Sequence, residues 1–162
     1  MKKLLLLFSF ISIVNILTGQ EKANIYDPDA DAKAEIKTAT LMARAQKKHV
    51  LLQIGGDWCP WSIELYNFIN EHPVIDSLIK ADYELLRVHY DRKEGNYELM
   101  QQLEFPNRFG FPVLVVLDGY GKRLHTQSTG YLEKDKSYDE EKLAGFLKQW
   151  NRAAVDPDTY TK

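Results

Sequence analysis

The chain has 162 residues, 44% of them apolar, and a formal net charge of −2. That length suits one domain with a buried core, and that composition excludes a disordered chain. The weak negative charge, with no basic stretch interleaved with aromatics, argues against a nucleic-acid partner.

Residues 1–19 read as a secretory leader. Lys2 and Lys3 form a positive start, and 4–17 is an apolar stretch shorter than the roughly 20 residues a membrane span needs. An exported chain is therefore expected, periplasmic or secreted, with no stable membrane insertion once the leader is removed. An uncleaved anchor is the alternative. A cut after Gly19 would leave Leu17 where a small residue is preferred, so the cleavage point stays open. Without the leader the net charge would fall from −2 to about −4. The remainder divides into one domain over 20–152 and a polar tail over 153–162.

Asp27-Pro28-Asp29 signals a turn, and Asp29 or Asp31 suits the cap of a helix over 32–47. The cations Lys47 and Lys48 complement the negative end of that helix. Residues 50–54 are a continuous apolar run, the pattern of a strand buried on both faces. A second helix is predicted over 60–70, with Pro60 in its first turn, where a missing N–H is harmless. His72-Pro73 interrupts it, and a short helix follows over 74–80. Residues 83–90 are strand-like, 91–96 a charged loop and 97–103 a short helix. Pro106 and Gly110-Phe111-Pro112 are breakers before a second strongly apolar strand over 113–117. Asp118-Gly119-Tyr120-Gly121 makes a hairpin turn. An edge strand over 122–128 ends at Gly130, and an amphipathic helix over 139–152 closes the domain, with Asp139 at its start. This order predicts an α/β fold. A single mixed central sheet would hold one parallel pair made by a crossover and one antiparallel hairpin, with helices on both faces.

Cys59 is the one cysteine in the sequence, within Asp57-Trp58-Cys59-Pro60-Trp61-Ser62. There a strand hands over to a helix start, where unpaired amides and the helix dipole favour a thiolate. The thiolate is the nucleophile of disulfide exchange. One cysteine cannot close an internal disulfide. In an exported chain it is a working thiol, a link to another chain, or a remnant on a fold now used for binding. Ser62, one turn on, is placed to donate a hydrogen bond to the thiolate; the plainer alternative is a helix-surface serine without a chemical role. Trp58 and Trp61 offer an apolar rim or simply cover the end of the core. No spacing of Cys, His, Asp or Glu suits a metal, and no phosphate-cradling glycine motif or hydrolase elbow is present, so no metal and no cofactor is expected.

Three segments in this order resemble the thioredoxin-like family: the 50–54 run leading into Gly55-Gly56-Asp57-Trp58-Cys59-Pro60-Trp61-Ser62, then Gly110-Phe111-Pro112 before a strand, then Leu117-Asp118-Gly119-Tyr120-Gly121-Lys122 before a final helix. The likeness spans about residues 24–150 and includes traits of exported bacterial members. It implies a three-layer thioredoxin-like sandwich, with Cys59 and Ser62 as catalytic positions and Trp58, Pro60, Trp61, Phe111 and Pro112 around the substrate. Pro112 would match the family's cis-proline. Two residues depart from the pattern. The family's second cysteine is Ser62 here, so cycling between a dithiol and an internal disulfide is excluded. Gln53 stands where the family often has a buried carboxylate, and an amide exchanges no proton at neutral pH. The remaining chemistry is monothiol exchange through mixed disulfides. Partners would be protein or peptide thiols and disulfides, with release by the substrate, a small thiol or a redox partner protein. The alternative is a non-catalytic module that binds peptides in the same groove.

Overall fold

In a computed structural model the chain is described over residues 24–93 and 95–161. The expected leader lies outside the described residues. Among those described, no helix is long and apolar enough to cross a membrane.

Helix α1 (Ala32–Gln46) starts where Asp31 accepts the Ala34 N–H at 3.0 Å. It stops at Lys47, which takes the left-handed conformation with φ 59. Strand β1 (His49–Gly55) follows, buried at all seven positions. Helices α2 (Pro60–Glu71) and α3 (Pro73–Asp82) form the crossover to β2 (Tyr83–His89), and each begins with a proline whose absent N–H is not needed there. Then come α4 (Tyr97–Gln102), a 3₁₀ turn (Pro106–Phe109), β3 (Val113–Leu117) and β4 (Arg123–Ser128).

The main sheet has the order β2-β1-β3-β4. β1 is parallel to β2, with Val50 opposite Glu84, and antiparallel to β3, with Ile54 opposite Val113. Alternation along β1 divides the core. Leu51, with Leu114 and Val116 of β3, packs under α2, α3 and helix α5 (Glu140–Gln149). Val50, Leu52 and Ile54 face α1 and α4 on the other side. The mixed sheet between helical layers is the one expected.

Two details differ from the sequence reading. A separate ribbon of β5 (Glu133–Lys134) and β6 (Ser137–Tyr138) stands beside the main sheet. The last long helix ends at Gln149 rather than 152. Asn151 caps a new short helix, α6 (Arg152–Val155), by accepting the Ala154 N–H at 2.8 Å.

Asp139 caps α5 by accepting the N–H groups of Glu141 at 2.9 Å and Lys142 at 3.1 Å. The Lys142 amide first, then the Lys134 ammonium and the Glu141 amide, hold its carboxyl below the ordinary 3.8. A carboxyl depressed in the folded state stabilises it above the unfolded value, and that stability is lost as pH falls through the folded value. Asp139→Asn should therefore flatten the acid limb of stability against pH, read from urea midpoints at about pH 7 and about pH 3. Identical acid limbs in the two proteins would remove Asp139 from that role.

Candidate functional site

The site forms where β1 ends. The Tyr90 N–H donates to the Gly55 carbonyl at 2.7 Å, tying the ends of the parallel pair together. The chain then folds over so that the Cys59 N–H reaches the Gly56 carbonyl at 3.0 Å. A Cβ on Gly56 would collide with the Trp58 indole, which explains the glycine. Cys59 is the N-cap of α2 in an extended conformation, and its carbonyl accepts from Ser62 at 3.0 Å and Ile63 at 3.3 Å. Pro60 is exposed at the first helical position.

From the opposite strand comes the segment before β3. The Phe111–Pro112 peptide is cis. Pro112 is buried, and its carbonyl accepts the Thr129 hydroxyl at 2.6 Å. The Phe111 carbonyl lies 3.4 Å from Cys59 Sγ and accepts its S–H. The residue is only 7% exposed. The sulfur thus sits at the helix start as expected, but lies beneath the Phe111 backbone rather than open at the surface.

Aromatic rings surround this point. Trp58 is 49% exposed, with its indole N–H fixed on the Tyr90 carbonyl at 2.8 Å. Its ring meets Phe111 edge-on at 5.5 Å, and Phe111 stacks on Tyr90 at 4.7 Å. Beside Trp58 is an open groove of about 410 Å³, lined also by Asp91, Arg92 and Lys93. Trp61 is engaged elsewhere: it meets Tyr138 edge-on at 5.5 Å, and its carbonyl accepts the Tyr138 hydroxyl at 3.1 Å. Trp58, Phe111 and Pro112 therefore gather at the sulfur, while Trp61 also closes the core against β6.

Ser62 departs from its expected geometry. It is fully buried, and its Oγ has no hydrogen-bond partner, so it does not donate to Cys59. The hydroxyl instead fills the notch left by the missing side chain of Gly55, next to the Tyr26 hydroxyl. Tyr26 lies ahead of α1 and gave no signal in the sequence beyond being an aromatic near a turn. It is 1% exposed and accepts from Gln53 Nε2 at 2.7 Å, and the same amide reaches the Ser62 carbonyl at 3.3 Å. Burial holds the Tyr26 phenol well above its ordinary 10.0, so it stays neutral. Ser62 Oγ is near enough to oppose that shift, yet the alignment a hydrogen bond requires is missing. Gln53 Oε1 is also buried without a partner. Across the ladder from Gln53, Arg87 covers the Tyr66 ring at 4.7 Å, and burial draws its guanidinium below its ordinary value. A neutral polar spot thus underlies the Cys59 turn.

This packing sets up a double-mutant cycle. Gly55→Ala should cost about 1–3 kcal/mol, the usual range for overpacking, because the new methyl meets Ser62 Oγ. Ser62→Ala removes that oxygen, so the double variant should lose less than the two single losses combined, measured by urea denaturation. Simple additivity would show that the two side chains do not compete for the space.

A family model described as thioredoxin-like matches residues 31–119. Among solved structures, a disulphide isomerase from Xylella fastidiosa Temecula1 is similar at TM-score 0.69 and 25% identity, over 78% of this chain and 95% of that one. A thioredoxin from Thermus thermophilus shares the fold at TM-score 0.51 and 21% identity, over 69% of this chain and 80% of that one. No curated protein sequence matches significantly.

Proposed function

We infer that this chain, which belongs to the thioredoxin-like family, is an exported monothiol exchange protein acting through mixed disulfides at Cys59. The observation that supports this most is the meeting of two segments: Cys59 caps α2, and its sulfur lies 3.4 Å from the carbonyl that precedes the cis-proline. The similarity to a disulphide isomerase agrees with it. The Lys2-Lys3 start and the apolar 4–17 stretch support export.

The chemistry is an attack by the Cys59 thiolate on one sulfur of a substrate disulfide. A new S–S bond forms, the old one breaks, and the other substrate sulfur leaves as a thiolate. Within these 162 residues no second cysteine exists to resolve the adduct. A thiolate of the same substrate resolves it by isomerisation, with no net oxidation. A small thiol or a partner protein resolves it by reduction, supplying the electrons. An extended peptide pairing with the Phe111 backbone would displace the S–H bond to its carbonyl and expose the sulfur. Trp58 then offers an apolar face beside the groove. Ser62 acts in this scheme through packing of the turn rather than as a donor to sulfur.

A second reading has its own support. A thiol that is 7% exposed and already bonded to a carbonyl suits a groove used for binding alone. Incubation with glutathione disulfide separates the two. Under exchange, mass spectrometry shows one adduct on Cys59, released by a dithiol and missing in Cys59→Ser. Absence of the adduct, with an extended peptide still bound, leaves the binding module. Ser62→Cys restores a second sulfur one turn away and should give an internal disulfide on oxidation, seen as the loss of two hydrogens in mass and of alkylation at both positions. A variant that stays doubly alkylable would exclude exchange geometry at this turn.

A further inference from the structure

At the end of the sheet opposite Cys59 is a pocket of about 380 Å³, lined by Arg44, Lys47, His49, Tyr120 and Arg152, with the Lys48 stem and the hairpin turn at Asp118 and Gly119. β1 separates the two ends: His49 opens the strand and Gly55 closes it, about 20 Å apart at a strand's usual rise. We propose that this pocket binds a phosphate-type oxyanion, a site independent of the Cys59 chemistry.

Four observations carry it. First, among the described residues Arg44, Lys47 and Arg152 form no ion pair. Lys48 differs, because its ammonium turns away to the Lys80 carbonyl at 2.8 Å and Glu84 at 3.7 Å. Second, the one acid in the wall is outnumbered by the cations and has one oxygen engaged. Asp118 Oδ1 accepts the N–H groups of Tyr120 at 2.8 Å and Lys122 at 2.9 Å, holding the turn. Third, the guanidinium is preset. Arg44 lies over the Tyr120 ring at 4.5 Å, which leaves its planar N–H fork free to grip an oxyanion. The turn is also packed tightly on that helix, since a Cβ on Gly119 would come within 3.1 Å of Arg44 Cα. Fourth, His49 is 4% exposed and lines the pocket from within, with Nδ1 engaged by the Trp150 carbonyl at 2.9 Å. Because a carbonyl only accepts, Nδ1 carries the proton and Nε2 of the neutral ring is an acceptor, which takes a hydrogen bond from a protonated phosphate oxygen.

Lys47 adds a detail of backbone. It occupies the left-handed helix-end position with φ 59, where glycine is favoured, and the Lys48 N–H fixes it by donating to the Ala43 carbonyl at 2.8 Å. A lysine there places a cation at the rim. The helix end itself accounts for cations near α1, but not for Arg152, which comes from the other end of the chain. Nor does it account for a buried histidine in the wall. Cations converge here on a chain whose overall charge is negative, which is what recognition of an anion requires.

The test uses the intact protein and inorganic pyrophosphate, by titration calorimetry at low salt. One saturable site is expected. Arg44→Gln with Lys47→Gln should weaken it at least tenfold, and Arg152→Gln should weaken it further. Lys136→Gln, which removes an exposed cation from the β5–β6 turn, should leave it unchanged. Sedimentation with phosphatidylglycerol vesicles, against phosphatidylcholine vesicles, tells a lipid phosphate from a soluble one. Binding of either kind that the pocket variants abolish supports the site. No saturable heat, or equal weakening by Lys136→Gln and the pocket variants, overturns it. Adduct formation at Cys59 should be the same in the pocket variants, so failure here leaves the exchange reading untouched.

Discussion

Ile54 lies opposite Val113 across the β1–β3 ladder, and the geometry of the site follows from that register. The two strands run in opposite directions, so the residues that follow Ile54 and those that precede Val113 emerge at the same end of the sheet. Cys59 leaves one strand and Phe111 enters the other, and their atoms come within 3.4 Å. A slip of one residue would turn Leu51 and Val116 away from α2 and α5 into the other core layer, where side chains of different shape are packed. The packing cost of that slip guards the position of the sulfur. Placement of the sulfur and core packing are thus one constraint.

Beneath the sulfur, the polar spot around Gln53 shows how this chain manages a place where charge would be costly. The amide of Gln53 and the phenol of Tyr26 are both neutral, and they bond at 2.7 Å. A neutral pair of this sort avoids the desolvation that a carboxylate would suffer there. Ser62 and Gln53 each leave one buried oxygen without a partner. Such orphans are rare in folded proteins. Both lie around the Cys59 turn, one on the strand entering it and one on the helix leaving it.

Much of this was legible in the sequence. The two continuous apolar runs marked β1 and β3, because strands buried on both faces need no polar alternation. Pro60 and Asp139 marked helix starts through their backbone chemistry, while Pro73, read as a break, also opens α3. The helix-start thiol followed from the apolar run before it and the proline after it, and the cis segment from a likeness in three separated motifs. Other features left no local trace. Tyr26 reaches Gln53 across 27 residues, and no periodicity records a contact between a turn and a distant strand. The β5–β6 ribbon is only two residues a side and mostly polar, so it carries neither a hydrophobic alternation nor a long enough run. The break after Gln149 had a signal that the apolar pattern overshadowed: Asn151 is a strong capping residue and begins α6. For Ser62 both a bond to sulfur and a place on the helix surface were open, and the structure has neither, because spacing gives the side of a helix but not the rotamer, and the hydroxyl occupies the empty space at Gly55.

The shallow burial of Cys59 has one more consequence, which concerns size. A disulfide brings two sulfurs to about 2 Å, and a residue 7% exposed beneath a peptide carbonyl admits no blunt approach. Two folded copies of this chain join their sulfurs only after the Phe111 segment shifts, which disfavours a direct Cys59–Cys59 bond. An extended strand or a small thiol needs a smaller displacement of the same segment. The Phe111 backbone thus excludes a bulky folded thiol more strongly than an extended or small one.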